Sequence, residues 1–218
     1  VLLLERGQNV EHIKDYHNAR KAPWDYPHRS GRTQAMIARY PVLKRDFPLN
    51  EKNLDWWASD EESPYTESRR FDWYRGYHVG GRSLMWGRCS FRLSDLDFEA
   101  NAREGIGTDW PIRYAEIAPW YSHAEKFAGI SGSLEGLAQL PDGDFQPAMP
   151  LNCAEQRMAD RLKGAFDGGR RLIPMRMANL TLPLEGRAPC QYRDACWLGC
   201  PYGAYFSTQS STLPAAMK

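Results

Sequence analysis

The sequence has no long hydrophobic run and no excess of charge of either sign. Its longest apolar runs, such as residues 1–4, are a few residues long. About twenty would be needed to cross a bilayer, so no transmembrane helix is predicted. The 28 lysines and arginines nearly balance the 27 aspartates and glutamates, and no net field would attract nucleic acid or an anionic membrane. The 42% hydrophobic content predicts a globular chain of one large domain or two small ones.

Cysteine is scarce as well, but three of the five cysteines are close together. Cys190, Cys196 and Cys200 lie within eleven residues, and a proline follows at once. Such short spacers can bring thiolates to one soft metal centre, and Cys-x3-Cys-Pro matches the end of a bacterial iron–sulfur motif whose upstream Cys-x2-Cys repeats are missing here. The spacing alone leaves open a metal centre, a disulfide with a spare thiol, or buried structural cysteines. Cys89 and Cys153 are predicted to be buried small hydrophobic residues.

The first seven residues read as a buried parallel strand that ends in an acid and a glycine. Glu5 would then lie at the carboxyl end of the strand, where an acidic residue binds the ribose in dinucleotide folds. The alternative is an ordinary carboxylate at a strand end, since no glycine-rich loop precedes it. Because the chain starts inside this strand and ends in an unterminated helix at 212–218, we expect both ends to be cut.

Paired glycines begin a second segment of interest at residues 77–88. Gly80 and Gly81 are followed by Ser83 and Gly87 around a short apolar helix start. Adjacent glycines let the backbone approach a ligand, and a helix N-terminus favours an anion. The alternative is a tight turn before a helix, a common arrangement.

The rest of the chain is expected to provide framework. Residues 8–70 are interrupted by prolines and predict long ordered loops that four tryptophans pack down, at positions 24, 56, 57 and 73. Helical spacing predicts amphipathic helices at 114–127 and 153–166, and an edge strand is predicted at 171–177. His123 is interpreted as a surface or satisfied core histidine, since no second ligand lies at metal-binding spacing.

Together these segments resemble the glucose–methanol–choline flavoprotein oxidoreductases, and within them the bacterial sugar and glucoside 3-dehydrogenases. Residues 1–7, 79–87, 109–112, 119–132 and 190–204 carry the resemblance. It implies an α/β fold: an incomplete Rossmann-like FAD-binding domain with long ordered loops at 1–130, lacking its first strand and glycine-rich loop. Residues 131–218 would then hold the cysteine insertion and the truncated start of a substrate region.

The resemblance also implies site residues. Those that would bind FAD are Glu5, Gly80, Gly81, Ser83, Met85, Trp86 and Gly87. Trp86 departs from the asparagine of many members, and the loop has no histidine for covalent attachment, so noncovalent FAD is implied. Cys190, Cys196 and Cys200 would hold a 3Fe–4S cluster. The catalytic histidine of the family would lie outside this chain, so no catalytic residue is named.

The activity implied by the resemblance is oxidation of a sugar or glycoside hydroxyl. Hydride would pass to the flavin, and electrons would leave through the iron–sulfur cluster to an external acceptor. A small subunit and a cytochrome-type acceptor are the implied partners, and the compartment is left open between cytoplasm and periplasm, with the periplasm slightly favoured. Two alternatives remain: a pyranose-oxidase-like enzyme that uses oxygen, and a non-enzymatic zinc-binding interaction module.

Overall fold

The computed structural model describes residues 2–41, 45, 49–166 and 169–218. The α-helices are α1 (Gln34–Arg39), α2 (Asp95–Phe98), α3 (Ala100–Glu104), α4 (Tyr114–Ala128), α5 (Cys153–Lys163) and α6 (Leu213–Ala216). Turns of 3-10 helix lie at Pro23–Asp25, Leu54–Trp56, Gly81–Leu84 and Cys196–Leu198, and Thr208–Thr212 is a π-helical turn. Within the described ranges, β-pairing is confined to isolated bridges. The incomplete Rossmann-like domain therefore stays a prediction.

The chain divides into two compact units. Unit 1 comprises Val1–Gly87, Gln191–Gly203 and Ser207–Lys218, and unit 2 comprises Arg88–Cys190 and Ala204–Phe206. The first unit thus joins about the first two fifths of the chain to most of its C-terminal end. The predicted boundary between residues 130 and 131 falls inside unit 2, and it stays a prediction because a division by contacts need not follow a division by function.

The core of unit 1 combines aromatic and aliphatic side chains. Its buried members are Val10, Tyr16, Ala19, Tyr40, Leu49, Trp56, Trp57, Leu84, Met85 and Leu198. The Tyr16 and Trp56 rings meet edge to face at 6.2 Å between centroids, an arrangement that aromatic quadrupoles favour. Two of the four tryptophans expected in the core are therefore there, whereas Trp24 and Trp73 are exposed.

The N-terminal segment differs from its prediction. Residues 2–6 form no strand, and Leu2, Leu3 and Leu4 are 81%, 71% and 82% exposed. The physical reason is that none of residues 2–6 has a bridge partner, and an apolar run becomes a buried strand only when neighbours pair with it and cover both faces. Pairing begins at Gln8, which forms a parallel bridge with His78.

In unit 2, α4 is anchored by a buried ion pair. Glu125 accepts hydrogen bonds from Arg92 Nε at 2.8 Å and from Arg92 Nη2 at 2.6 Å. Arg92 also donates to the hydroxyls of Tyr114 and Ser122 on the same helix, and Asp144 N donates to Glu125. The charges of both partners are therefore compensated inside the protein, as burial of an ion pair requires.

Irregular chain packs beside α4 through isolated bridges of Ser131 to Gln146 and to Met177. The strand predicted at 171–177 is absent, since only its last residue pairs. Arg176, 1% exposed, explains this: its guanidinium donates to the carbonyl of Pro141 at 2.5 Å and to Asp142 at 3.0 Å. A buried arginine that holds a loop takes the place of the predicted strand alternation.

The two helices predicted from periodicity are confirmed. The helix predicted at 114–127 is α4, and the one predicted at 153–166 is α5, which ends three residues early, before Gly164. His123 lies exposed on α4, as interpreted from the sequence. Among the described residues, no helix has both the length and the apolar character needed to cross a membrane.

Candidate functional site

The segment after Glu5 lies beside residues 77–88 in unit 1. We call residues 77–88 the glycine-rich loop. Gln8 and His78 form a parallel bridge, and Val79 N donates to Gln8 O at 2.9 Å. At Gly7 an added Cβ would lie 2.5 Å from His78 N, so only glycine allows this approach. Two segments that the sequence separates widely are therefore brought together at the position of the predicted cofactor site.

The carboxylate of Glu5 is exposed and held by its own backbone. Its Oε1 accepts the N–H of Arg6 at 2.8 Å and that of Gly7 at 2.9 Å. Burial lowers the pKa of His78, and the negative charge of Glu5 acts in the opposite direction. The charge of the Glu5 carboxylate thus acts on His78 in the loop. Because Oε1 accepts both backbone hydrogen bonds, Oε2 is the oxygen that could bind a ligand.

The glycine-rich loop itself is a tight turn followed by a 3-10 helix. Gly80 and Gly81 have φ of 82° and 46°, values in the left-handed region that glycine adopts without strain. The N–H groups of Gly81, Ser83 and Met85 donate to carbonyls of the same turn, at 2.8, 3.0 and 2.9 Å. These three donors are engaged, so the expectation that the N–H groups of the loop point at an anion does not hold for them.

The remaining loop residues differ in burial, from the core to the surface of unit 1. Leu84 and Met85 are buried in the core of unit 1, Ser83 and Trp86 are half-buried, and Gly87 is exposed. The predicted FAD-binding residues therefore range from the exposed Glu5 to Met85 in the buried core.

Sequence reasoning missed the segment that contacts this loop. Thr208 N donates to Ser83 Oγ at 3.0 Å, and Gln209 Nε2 donates to Val79 O. The space where Gly80 would carry a Cβ is occupied by the Gln209 carboxamide, 2.7 Å away at Nε2. A polar run with no special spacing gave no signal for such a distant contact.

Two polar atoms beside the loop are buried without a hydrogen-bond partner: His78 Nε2 and Gln209 Oε1. Both residues are at least 96% buried, with exposures of 3% and 4%. An unsatisfied buried polar atom costs about 1–3 kcal/mol, and native proteins keep few of them, commonly where a site functions. These two atoms leave hydrogen-bonding capacity unused beside the loop.

A polar cavity of about 520 Å³ lies next to the bridge of Gln8 with His78. Its volume is within the range of small-molecule sites. The lining combines an aromatic wall with carboxylates and amides from Gln8, Asn9, Asp15, Asn18, Asp55 and Trp56. Unit 1 thus offers a concave surface beside the predicted cofactor segments.

Two of the three clustered cysteines belong to the same unit as the loop. Cys196 begins the 3-10 turn Cys196–Leu198, in which Trp197 Nε1 donates to Trp86 O at 3.1 Å. Gly199, with φ of 86°, lies directly on the ring of Tyr16, and burial raises the pKa of the Tyr16 hydroxyl. Cys200 follows at the start of the next turn, whose Gly203 N donates to Cys200 O at 3.1 Å.

Cys190 belongs to unit 2, where its N–H donates to Leu180 O at 2.8 Å. Across the ranges that the structure describes, no three His, Cys, Asp or Glu side chains are grouped so that they could hold a metal ion. All five cysteines lie in those ranges, and none forms a disulfide.

The prediction that Cys89 and Cys153 are buried is wrong, because both are exposed. Cys153 is the first residue of α5, a helix whose first five residues are all exposed, and Cys89 Sγ contacts Met175 Sδ at 3.1 Å. Neither residue has the apolar surroundings that would bury a thiol as a small hydrophobic residue.

Comparison with known proteins gives the class first: the similar proteins are dehydrogenases. One is the fructose dehydrogenase large subunit of Gluconobacter japonicus, 28% identical over 131 residues, which are 59% of this chain and 24% of that protein. Another is the oxygen-dependent choline dehydrogenase of Xanthomonas euvesicatoria pv. vesicatoria, 35% identical over 79 residues, 36% of this chain and 14% of that enzyme. The enzyme of the same name from Pseudomonas aeruginosa is 35% identical over 79 residues as well.

No family model matches the chain. The chain spans about a quarter of the fructose dehydrogenase subunit and about a seventh of the choline dehydrogenases. These similarities support the glucose–methanol–choline oxidoreductases as the family that the sequence resembles.

Proposed function

We propose that this protein is an FAD-dependent dehydrogenase that oxidises a sugar or glycoside hydroxyl and passes the electrons to an external acceptor. The observation that supports this most is the convergence of Glu5, Gly7 and the glycine-rich loop on one surface of unit 1. The similarity to fructose and choline dehydrogenases supports oxidation of a CH–OH group. A sugar substrate is proposed from the family resemblance and from the name of the fructose dehydrogenase.

The residues of unit 1 fit a noncovalent dinucleotide flavin. The Oε2 atom of Glu5 would accept hydrogen bonds from the ribose hydroxyls, because Oε1 is taken by the backbone. Gly80 and Gly81 would give the dinucleotide close access to the backbone.

When bound, FAD would supply a two-electron acceptor for the hydride of the alcohol C–H bond. The chain contributes binding and charge control around it. Because burial lowers the pKa of His78, the ring is neutral at pH 7 and adds no positive charge beside the loop. Ser83, Met85, Trp86 and Gly87 would complete the flavin-facing part of the loop. No residue of this chain is proposed as the catalytic base.

The 3Fe–4S cluster predicted on Cys190, Cys196 and Cys200 rests on the family resemblance alone. As placed in the structure, these thiols do not fit a formed metal site, since no metal-holding group exists among the described residues. We therefore derive no electron-transfer step through a cluster. The small subunit, the cytochrome-type acceptor and the periplasmic compartment are proposed on the resemblance alone.

The absorption spectrum of the intact purified protein tests the proposal. Flavin bands that bleach when a sugar or glycoside is added without oxygen are expected, and acid should release the flavin because attachment is noncovalent. A protein without flavin bands would overturn the proposal.

Two further measurements on the same sample separate the variants of the proposal. A broad iron–sulfur absorbance with bound iron would support the cluster, whereas zinc without flavin would favour the interaction module. Hydrogen peroxide formed in air at the rate of sugar oxidation would favour the oxidase over the dehydrogenase.

A further inference from the structure

The chain that follows the cysteines forms a clamp on the glycine-rich loop. We define the clamp as Thr208 and Gln209, which open the π-helical turn Thr208–Thr212. Its two hydrogen bonds reach both ends of the glycine turn: Gln209 holds the carbonyl of Val79 and Thr208 N holds the hydroxyl of Ser83. The loop between these contacts contains Gly80 and Gly81.

The turn that presents this clamp is locally well defined. Ser207 caps it by accepting from Ser210 N at 3.3 Å, and the Ser211 hydroxyl donates to Ser207 O. π-Helical turns are rare and occur frequently at functional sites. The local hydrogen bonds fix the direction in which Gln209 leaves the backbone.

Gln209 is poorly explained as a packing residue. Its side chain is 96% buried, yet its Oε1 has no hydrogen-bond partner. A methionine of similar length would fill the same volume without an unsatisfied acceptor. The donor that the carboxamide gives to Val79 O is the contact that methionine would lack.

The position of Gln209 also restricts the glycine turn. An added Cβ on Gly80 would be 2.7 Å from Gln209 Nε2 and 2.8 Å from Thr208 Cβ. The side chains of Gln209 and Thr208 thus fill the space beside the left-handed backbone of Gly80. Without the clamp, a glycine at this position has wide freedom in φ and ψ.

We propose that Gln209 is a positioning residue, which holds the Val79 carbonyl and the Gly80 backbone in the conformation that receives the flavin cofactor. This inference rests on the proposed function, because it assigns Gln209 to the same FAD site. The cysteine-bearing stretch holds the far end of the loop, where Trp197 Nε1 donates to Trp86 O. The loop is thus held at one end by chain between the cysteines and at the other end by chain that follows them.

The test compares Gln209→Met, Gln209→Glu and the control Gln156→Met in the intact protein. Methionine keeps the length of the side chain but has no donor for Val79 O. Glutamate keeps the shape of the side chain, and when it is ionised it cannot donate to Val79 O either. Gln156 is an exposed glutamine on α5, in unit 2. A thermal unfolding curve equal to that of the wild type shows that a variant is folded. If one of the two Gln209 variants does not fold, the other still tests the inference.

Two readouts are measured: hydrogen–deuterium exchange of the peptide 78–86 in cofactor-stripped protein, and the dissociation constant for FAD. Loss of one buried hydrogen bond predicts about threefold to tenfold faster exchange and a similar weakening of FAD binding. The control variant should change neither.

Faster exchange together with weaker FAD binding supports the inference. Exchange and affinity equal to those of the wild type would overturn it, and so would faster exchange with unchanged affinity, because the loop would then not need its clamp. A wild-type protein that binds no FAD would instead overturn the proposed function, whatever the exchange data show about the clamp.

Discussion

Replacement of Gly199 by alanine tests how the cysteine-bearing stretch is fixed in unit 1. Gly199 has φ of 86°, and an added Cβ would lie 2.3 Å from Cγ and 2.4 Å from Cδ1 of the buried Tyr16 ring. Tyr16 cannot move aside easily, because it packs edge to face on Trp56 within the core. Gly199→Ala should therefore strain the backbone and overpack the core together.

The magnitude is the sum of two terms. A left-handed backbone costs alanine about 1–2 kcal/mol. Overpacking costs a further ~1–3 kcal/mol. The total of roughly 2–5 kcal/mol corresponds to a fall of about 4–20 °C in the unfolding midpoint for a chain of this size.

The assay is thermal unfolding of the intact protein, followed by circular dichroism. Gly186→Ala is the control, since Gly186 has φ of 78° and no heavy atom within 4 Å of the added Cβ. The control keeps the backbone cost alone, and its unfolding midpoint should fall by about 2–8 °C. If both variants unfold at the same temperature, the contact between Gly199 and Tyr16 contributes nothing and the described packing is wrong.

Two further predictions concern the buried ion pair and pH. Arg92→Met leaves Glu125 as a buried, uncompensated charge and should lower the free energy of unfolding by about 3–5 kcal/mol, against under about 0.5 kcal/mol for the exposed Arg103→Met. Denaturant titration measures both, and equal losses would show that the Arg92 pair is not buried. Burial lowers the pKa of His78 from 6.5, so the unfolded chain binds a proton on this ring more readily than the folded protein does. The stability of the folded protein against protonation of His78 is therefore fully present above pH 6.5 and is lost as the pH falls below that value. The unfolding midpoint of the wild type should fall more steeply from about pH 7.5 to 5.5 than that of His78→Gln, and parallel curves would contradict the shift.

The elements predicted well from the sequence are those that local chemistry defines. Helix α4 follows from apolar residues at helical spacing, and Gly129 at its end adopts the left-handed φ of 75° that terminates a helix. The turn at Gly80 and Gly81 was predicted because paired glycines permit a backbone that other residues avoid. In each case the determining residues are close neighbours in the sequence.

The predictions that failed depend on distant partners. The burial predicted for residues 2–4 required strands on either side, and none pairs with them. The contact of Gln209 with Val79 spans 130 positions, and no periodicity or spacing announces it. The exposure of Cys89 and Cys153 likewise depends on what packs nearby rather than on the residue type.

Titration of the cofactor-stripped intact protein with FAD, by flavin fluorescence, tests the central claim most directly. The account predicts that Glu5→Gln weakens binding by about tenfold to a hundredfold, because a charge-assisted hydrogen bond is lost. Glu11→Gln alters an exposed acid that pairs with Lys14 at 3.0 Å, and it should bind FAD as the wild type does. An unchanged dissociation constant for Glu5→Gln would contradict the assignment of this surface to the flavin cofactor.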